Sequence, residues 1–158
     1  MARVLPVILL TLLVLPSTAR TQARPDFSGM WKMDPSRSES AMQSEPIGPV
    51  TLVITQTPIA LRIDTTRVDG TSTVTYTLGG SENKIPTGTA RTHWEGTTLV
   101  TEATHDVKGQ TVTTKTSRSL NAADELLVET ILVVQHGYTL RGTPNWGAAK
   151  DVYTRQHP

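Results

Sequence analysis

Four histidines are the side chains in this sequence best suited to metal binding or to general-base chemistry. They are His93, His105, His136 and His157. They fall on separate candidate elements, without the close pair spacing of common zinc motifs. The sequence therefore favours isolated histidines, on the surface or in the interior, and we predict no metal site.

Other constellations that could support catalysis are equally sparse. Gly80-Ser81-Glu82-Asn83 lacks the closing glycine and the strand-to-helix context of a nucleophile elbow, so we interpret it as a turn. Nothing in the sequence brings two glutamates together for acid–base work; the candidates are Glu82, Glu95, Glu102 and Glu129. No glycine-rich phosphate loop precedes a helix, so we expect no cofactor. An enzyme is the least favoured of three interpretations.

A hairpin register groups a second set of residues. If Lys108-Gly109 is a two-residue turn, alternation along the two strands places eight residues on one face. They are Leu99, Thr101, Ala103, His105, Val112, Thr114, Thr116 and Arg118. A four-residue connection from Trp94 to Leu99 would add Trp94 and Thr92 to that face.

We predict that this face points inward, because it carries the large aromatic Trp94. Its small Thr and Ala side chains would leave space for a ligand beside the polar groups of His105 and Arg118. Arg118 would hold an anionic group, since a planar guanidinium suits carboxylate or phosphate. The predicted ligand-binding residues are Trp94, His105, Arg118 and Tyr76. The alternative is that the Thr-rich face is the solvated outside.

The elements that would position these residues are β-strands, because stiff, β-branched Thr and Val dominate the chain. Hairpin-type pairs such as Asp69-Gly70 separate the strands. Nine strands are predicted: Ser28–Lys32, Val50–Thr57, Ile59–Thr66, Thr71–Leu78, Ala90–Glu95, Thr98–Asp106, Gln110–Leu120, Leu126–His136 and Lys150–Arg155. Asp34–Gly48 is a polar gap that could hold one helical turn, and Thr139–Ala149 is predicted to be a loop. The pattern indicates an antiparallel barrel or sandwich.

The N-terminus has the features of an export signal. Arg3 precedes the apolar run Val4–Leu15, which is too short to span a bilayer, since a span needs roughly 20 apolar residues. Small residues follow, and we expect cleavage after Ala23, which leaves no transmembrane anchor. The alternative is a buried apolar strand or helix.

Composition narrows the setting further. The chain of 158 residues contains no cysteine, which fits a bacterial periplasmic or secreted protein. Its formal charge is +1, and loss of Arg3 and Arg20 with the signal would make it −1. A near-neutral chain gives no electrostatic case for binding nucleic acid or an anionic membrane. The remaining length suits one domain, and the oligomeric state is not predicted.

The segment Gly29-Met30-Trp31 resembles the G-x-W motif on the first strand of lipocalins. The resemblance implies an up-and-down β-barrel over residues 24–158, after a signal peptide at 1–23. It also implies that Trp31 plugs the closed end and that Arg155, on the last strand, lies over its ring. The chain departs from the family in having no Thr-Asp-Tyr motif and no amphipathic helix before the final strand.

The chain is also similar to a group of small, uncharacterised bacterial secreted proteins. The matching features are Asp34-Pro35 with Ser38, the Gly80-Ser81-Glu82 turn, the hairpin bearing Trp94, Gly96 and Leu99, and a late Tyr-x-Arg strand. This second resemblance implies export and a lipocalin-like fold, and it brings no activity.

The leading interpretation is therefore an exported β-barrel that binds a small, amphipathic or anionic molecule. The alternative is a structural or interaction module of the cell envelope whose barrel is filled by its own side chains. The size of the internal void separates the two, because ligand sites typically occupy several hundred Å³.

Overall fold

The computed structural model describes residues 23–39, 48–107, 109–134 and 146–157, with the backbone alone at residues 107, 134 and 146. Their fold is all-β. The ten strands are β1 Gly29–Met33, β2 Thr51–Gln56, β3 Ala60–Arg67, β4 Gly70–Thr77, β5 Glu82–Ile85, β6 Gly88–Glu95, β7 Thr98–Val107, β8 Gln110–Leu120, β9 Leu126–Val134 and β10 Trp146–Gln156.

The strands form one antiparallel sheet in the order β4-β3-β2-β1-β10-β9-β8-β7-β6-β5. Each strand pairs with its neighbour in sequence, except that β1 pairs with β10 and β4 does not pair with β5. The β1–β10 pairing places Trp31 opposite Arg155. Because the two outermost strands, β4 and β5, approach each other, the sheet curls into a nearly closed up-and-down barrel. The predicted fold class is confirmed.

The closed end of the barrel contains the largest buried side chains, including Phe27, Trp31, Leu61, Leu99 and Leu126. Trp31 is fully buried, and its indole Nε1 donates a hydrogen bond of 2.8 Å to the Phe27 carbonyl oxygen. The Arg155 guanidinium lies over its ring, 4.1 Å from the centroid. Both expectations drawn from the G-x-W segment are confirmed.

Two sequence predictions were wrong. Glu82–Ile85, part of which was interpreted as a turn, is strand β5, in which Asn83 and Ile85 alternate with exposed polar residues. Within the predicted Thr139–Ala149 loop, residues 146–149 belong to β10, because backbone pairing with β9 compensates for their weak strand propensity. Residues 139–145 and His136 lie outside the described residues.

The polar gap after β1 begins with a hydrogen-bonded turn in which the Arg37 amide donates to the Asp34 carbonyl oxygen at 3.2 Å. Residues 40–47 lie outside the description, as do residues 1–22 of the expected signal peptide. Among the residues that are described, no helix is long and apolar enough to cross a membrane.

Candidate functional site

The Thr-rich face of β7 and β8 points into the barrel. Pairing of Leu99 with Arg118 and of Thr101 with Thr116 follows the register predicted from the Lys108-Gly109 turn. Trp94 pairs with Leu99 and so joins the same face. Only 2% of Thr101 is exposed. The inward orientation is confirmed, and the alternative of a solvated Thr-rich face is wrong.

Arg118 is the charged residue buried deepest on this face, with 8% of its surface exposed. Its Nη1 donates a hydrogen bond of 3.1 Å to Thr101 Oγ1, and its guanidinium carbon lies 5.4 Å from the centre of the Tyr76 ring. Among the described residues, no carboxylate oxygen lies within 4.0 Å of this guanidinium. Arg118 is therefore a buried cation whose contacts are hydroxyl and aromatic groups.

Burial lowers the pKa of Arg118 below its ordinary value of 12.5, because desolvation disfavours the charged form. The hydroxyl groups of Tyr76 and Tyr153 oppose that shift. An arginine nevertheless stays protonated at neutral pH. The barrel therefore carries a permanent, incompletely solvated positive charge in its interior.

Arg118 and Tyr76 border an internal cavity of about 200 Å³. Besides three threonines, the polar residues of its described wall include Arg67, Asp151 and Tyr153. Arg67 is the last residue of β3, and Asp151 and Tyr153 are on β10. The cavity is therefore lined by side chains from opposite sides of the barrel, in the manner of an internal binding site.

Tyr153 is 95% buried, and this burial raises the pKa of its hydroxyl above the ordinary value of 10.0. The nearby Asp151 charge raises the pKa further, while Arg67 and Arg118 oppose the shift. The phenol therefore stays neutral across the physiological range and can donate a hydrogen bond to a ligand.

A larger space of about 530 Å³ adjoins this cavity and shares Val50, Arg67, Thr130, Asp151 and Tyr153 with it. The other described residues of its wall are apolar or glycine: Met33, Leu132, Gly147, Ala148 and Ala149. A polar region around Arg118 therefore continues into an apolar region. This arrangement matches a molecule with one polar end and one apolar end.

Trp94 does not join Arg118 at this cavity. Its ring stacks on Phe27 at a centroid distance of 5.8 Å and an interplanar angle of 10°, and the Arg24 guanidinium lies 5.5 Å from its centre. Trp94 packs against the hydrophobic core at the closed end. The expectation that Trp94 and Arg118 contribute to one space was wrong, because the indole stacks on Phe27 in the core and does not line the cavity that Arg118 borders.

His105 lies near the opposite end of β7, in contact with two threonines. Its Nδ1 is 2.7 Å from Thr87 Oγ1, and its Nε2 is 3.2 Å from Thr114 Oγ1. Partial burial lowers the pKa of His105 below its ordinary value of 6.5. Of the four predicted site residues, the structure brings together Tyr76 and Arg118 only.

Sequence reasoning missed Arg67, Asp151 and Tyr153. The signal for two of them was present in the expectation that Arg155 lies over Trp31. Side chains alternate along a strand, so an inward Arg155 implies an inward Tyr153 and an inward Asp151. Arg67 carried no comparable signal, because it lies at the end of β3 and faces the hairpin to β4.

The described residues contain no cluster of three or more His, Asp or Glu side chains that could hold a metal ion. No protein-family model matches the chain, and no curated protein sequence matches it significantly.

Solved structures do resemble this fold. One is the crystal structure of a mutant of the fluorescent protein UnaG, which is 16% identical and has a TM-score of 0.55. The match covers 84% of this chain and 97% of that one. Another is the apo form of Caenorhabditis elegans lipid binding protein 8, 12% identical with a TM-score of 0.56, covering 82% of this chain and 95% of that one. At these identities the likeness shows the fold alone, a nearly closed, antiparallel up-and-down β-barrel.

Proposed function

We propose that this protein binds one small amphipathic anion inside its barrel. The observation that carries the proposal is Arg118, a buried guanidinium that faces an internal cavity and has no carboxylate partner among the described residues. Burial of an ion costs free energy unless a partner compensates for the lost hydration. An anionic ligand group at this position would supply that partner.

The charges around the cavity agree with an anion. Two arginines, Arg67 and Arg118, and one carboxylate, Asp151, line the space. The charge of the described lining residues is therefore net positive by one unit. Tyr76 and Tyr153 add neutral hydroxyl groups that can donate hydrogen bonds to an oxyanion.

The apolar part of the ligand would occupy the adjoining space beside Met33, Val50 and Leu132. Transfer of apolar surface into this region is favourable by about 25 cal/mol per Å². A bare hydrocarbon would leave Arg118 unpaired, and a small hydrophilic anion would leave the apolar walls unused. An amphipathic anion uses both parts of the site.

The alternative function is a structural module of the cell envelope with a filled barrel. The adjoining space of about 530 Å³ favours the binding role, because it lies within the range of about 300–1,000 Å³ that is common for ligand sites, and the cavity of about 200 Å³ beside Arg118 adds to it. A fold similar to that of lipid binding protein 8 is consistent with the same role.

Fluorescence titration tests the proposal with two matched probes. One is 8-anilinonaphthalene-1-sulfonate, an anionic amphiphile, and the other is N-phenyl-1-naphthylamine, which has the same ring skeleton without the sulfonate. We expect saturable binding of the anionic probe with one site per chain, and weaker binding of the neutral probe. A filled barrel would bind neither probe saturably.

We further propose that the protein is exported and works in the periplasm or outside the cell. The support is the N-terminal sequence together with the contacts of the first described residues. Arg24 lies over Trp94, and the Phe27 ring stacks on the same indole. Signal cleavage after Ala23 would leave all of these barrel contacts intact.

A further inference from the structure

The barrel has a seam between β4 and β5. These strands are the two ends of the sheet, and within residues 70–95, all of which are described, no backbone hydrogen bond joins one to the other. Just after the C-terminal end of β4, the amides of Gly79 and Gly80 donate hydrogen bonds of 3.2 and 2.8 Å to the Thr92 carbonyl oxygen. Hydrogen bonds to β6 therefore hold the C-terminal end of β4 on the side that faces β5.

The side chain of Asn83 bridges the seam itself. Its Oδ1 accepts a hydrogen bond of 3.2 Å from the Thr77 amide, and its Nδ2 donates one of 3.0 Å to the Thr75 carbonyl oxygen. The carboxamide thus takes the place of a backbone peptide group, offering one acceptor and one donor to the neighbouring strand. Nδ2 also donates to the carbonyl oxygen of Lys84, at 3.1 Å, which fixes the orientation of the amide.

Tyr76 lies between Thr75 and Thr77, the two residues to which the Asn83 side chain is hydrogen-bonded. Its ring lies against Arg118, at 5.4 Å from the guanidinium carbon, and it forms part of the cavity wall. On its other side β4 pairs with β3, where Tyr76 is opposite Leu61. Position 76 is therefore held by a backbone ladder on one side and by the Asn83 side chain on the other.

We propose that Asn83 is a positioning residue of the anion site. It holds the Thr75–Thr77 segment of β4 so that the Tyr76 ring and hydroxyl stay against the Arg118 guanidinium. The inference rests on the proposed function and deepens it by adding a residue that does not touch the ligand.

A physical argument supports this role over a general contribution to stability. Edge strands are free to move where their backbone groups lack partners, and the β4 residues that precede Val74 are exposed. Loss of the Asn83 amide would free the Thr77 amide and the Thr75 carbonyl group. The adjoining Tyr76 would then sample positions away from Arg118, while the apolar walls on β1, β9 and β10 would be unchanged.

The test combines Asn83→Ala with the two matched probes and with hydrogen exchange of the Thr77 amide. Lys84→Ala is the matched control, since Lys84 is the next residue on β5 and its side chain is exposed. We expect Asn83→Ala to weaken binding of 8-anilinonaphthalene-1-sulfonate about 3- to 10-fold, as for one or two lost hydrogen bonds. Binding of N-phenyl-1-naphthylamine should be unchanged, and the Thr77 amide should exchange faster. Lys84→Ala should match wild type in all three measurements.

Equal weakening of both probes, or no change for either, would overturn the positioning role. If Asn83→Ala does not fold, Asn83→Gln gives the same comparison, because it retains the amide on a longer side chain. We expect Asn83→Gln to keep part of the wild-type preference for the anionic probe over the neutral one. An equal loss of affinity for both probes would again overturn the inference. The proposed function fails separately, if wild type binds no anionic probe or if an Arg118 variant binds it normally.

Discussion

The guanidinium of Arg155 lies 4.1 Å from the centre of the Trp31 ring and joins the first and last strands of the barrel. Arg155 also donates from Nη1 to the Ser28 carbonyl oxygen at 2.6 Å and forms an ion pair with Asp124 at 3.0 Å. The ring beneath it is fully buried and hydrogen-bonded to the backbone. This pair closes the end of the barrel at which the largest side chains are buried.

Replacement of Trp31 by Ala should lower the free energy of unfolding by about 3–5 kcal/mol, the range for deletion of a large buried aromatic side chain. Urea denaturation followed by circular dichroism measures the change. Met30→Ala, one position earlier on β1 and 48% exposed, is the matched control and should have a much smaller effect. An unchanged midpoint for Trp31→Ala would contradict the assigned role of the closed end.

The mature N-terminus should be Arg24, or failing that Arg20. The reason is the apolar run Val4–Leu15, followed by small residues before each position. N-terminal sequencing of protein recovered from the periplasm or the medium measures this directly. Exported protein that still contains Val4–Leu15 would exclude cleavage.

Acidification should destabilise the fold through His105. Burial lowers the folded-state pKa of this imidazole below its ordinary value of 6.5, so the unfolded chain binds the proton more readily. The stabilising contribution is then fully present above pH 6.5 and is lost as the pH falls through the folded-state pKa. Thermal unfolding of wild type and His105→Gln across this window measures it. A gain in wild-type stability relative to the variant on acidification would reverse the predicted sign.

Much of the barrel wall could be predicted because the constraint was local. The predicted hairpin between β7 and β8 fixes their register, which the pairing of Val107 with Gln110 bears out, and strict alternation then determines which side chains share a face. The size of Trp94 selected the inward face. The same reasoning correctly placed Thr101 and Arg118 inside.

The sequence predictions that were wrong concern features that depend on pairing between distant strands. Strand β5 is short and contains Glu82, Asn83 and Lys84, so its composition resembles a turn; pairing with β6 makes it a strand. The depth of a side chain along the barrel axis also depends on how all ten strands are staggered. One sequence fixes the face on which Trp94 and Arg118 lie, but not that the indole stacks on Phe27, away from the cavity that Arg118 borders.

The same limit applies to the site. Tyr76 is on β4, at one end of the sheet, and Arg118 is on β8, with five other strands between β4 and β8 in the sheet order. The two side chains meet because the sheet curls. No local sequence pattern predicts the contact between Tyr76 and Arg118. The contributions of Arg67 and Asp151 likewise follow from closure of the barrel.

The most direct test of the proposed anion site is the affinity of Arg118→Met for 8-anilinonaphthalene-1-sulfonate, with N-phenyl-1-naphthylamine as the matched neutral probe. Met removes the charge at similar length, and Thr101 Oγ1, which loses the hydrogen bond from Arg118, keeps the one that it accepts from Thr92. Loss of a charged hydrogen-bond partner is worth about 1.5–3 kcal/mol, so the dissociation constant for the anionic probe should rise about 10- to 100-fold. Binding of the neutral probe should be unchanged or stronger. Equal affinity of wild type and Arg118→Met for the anionic probe would contradict the assignment of Arg118 as the anion contact.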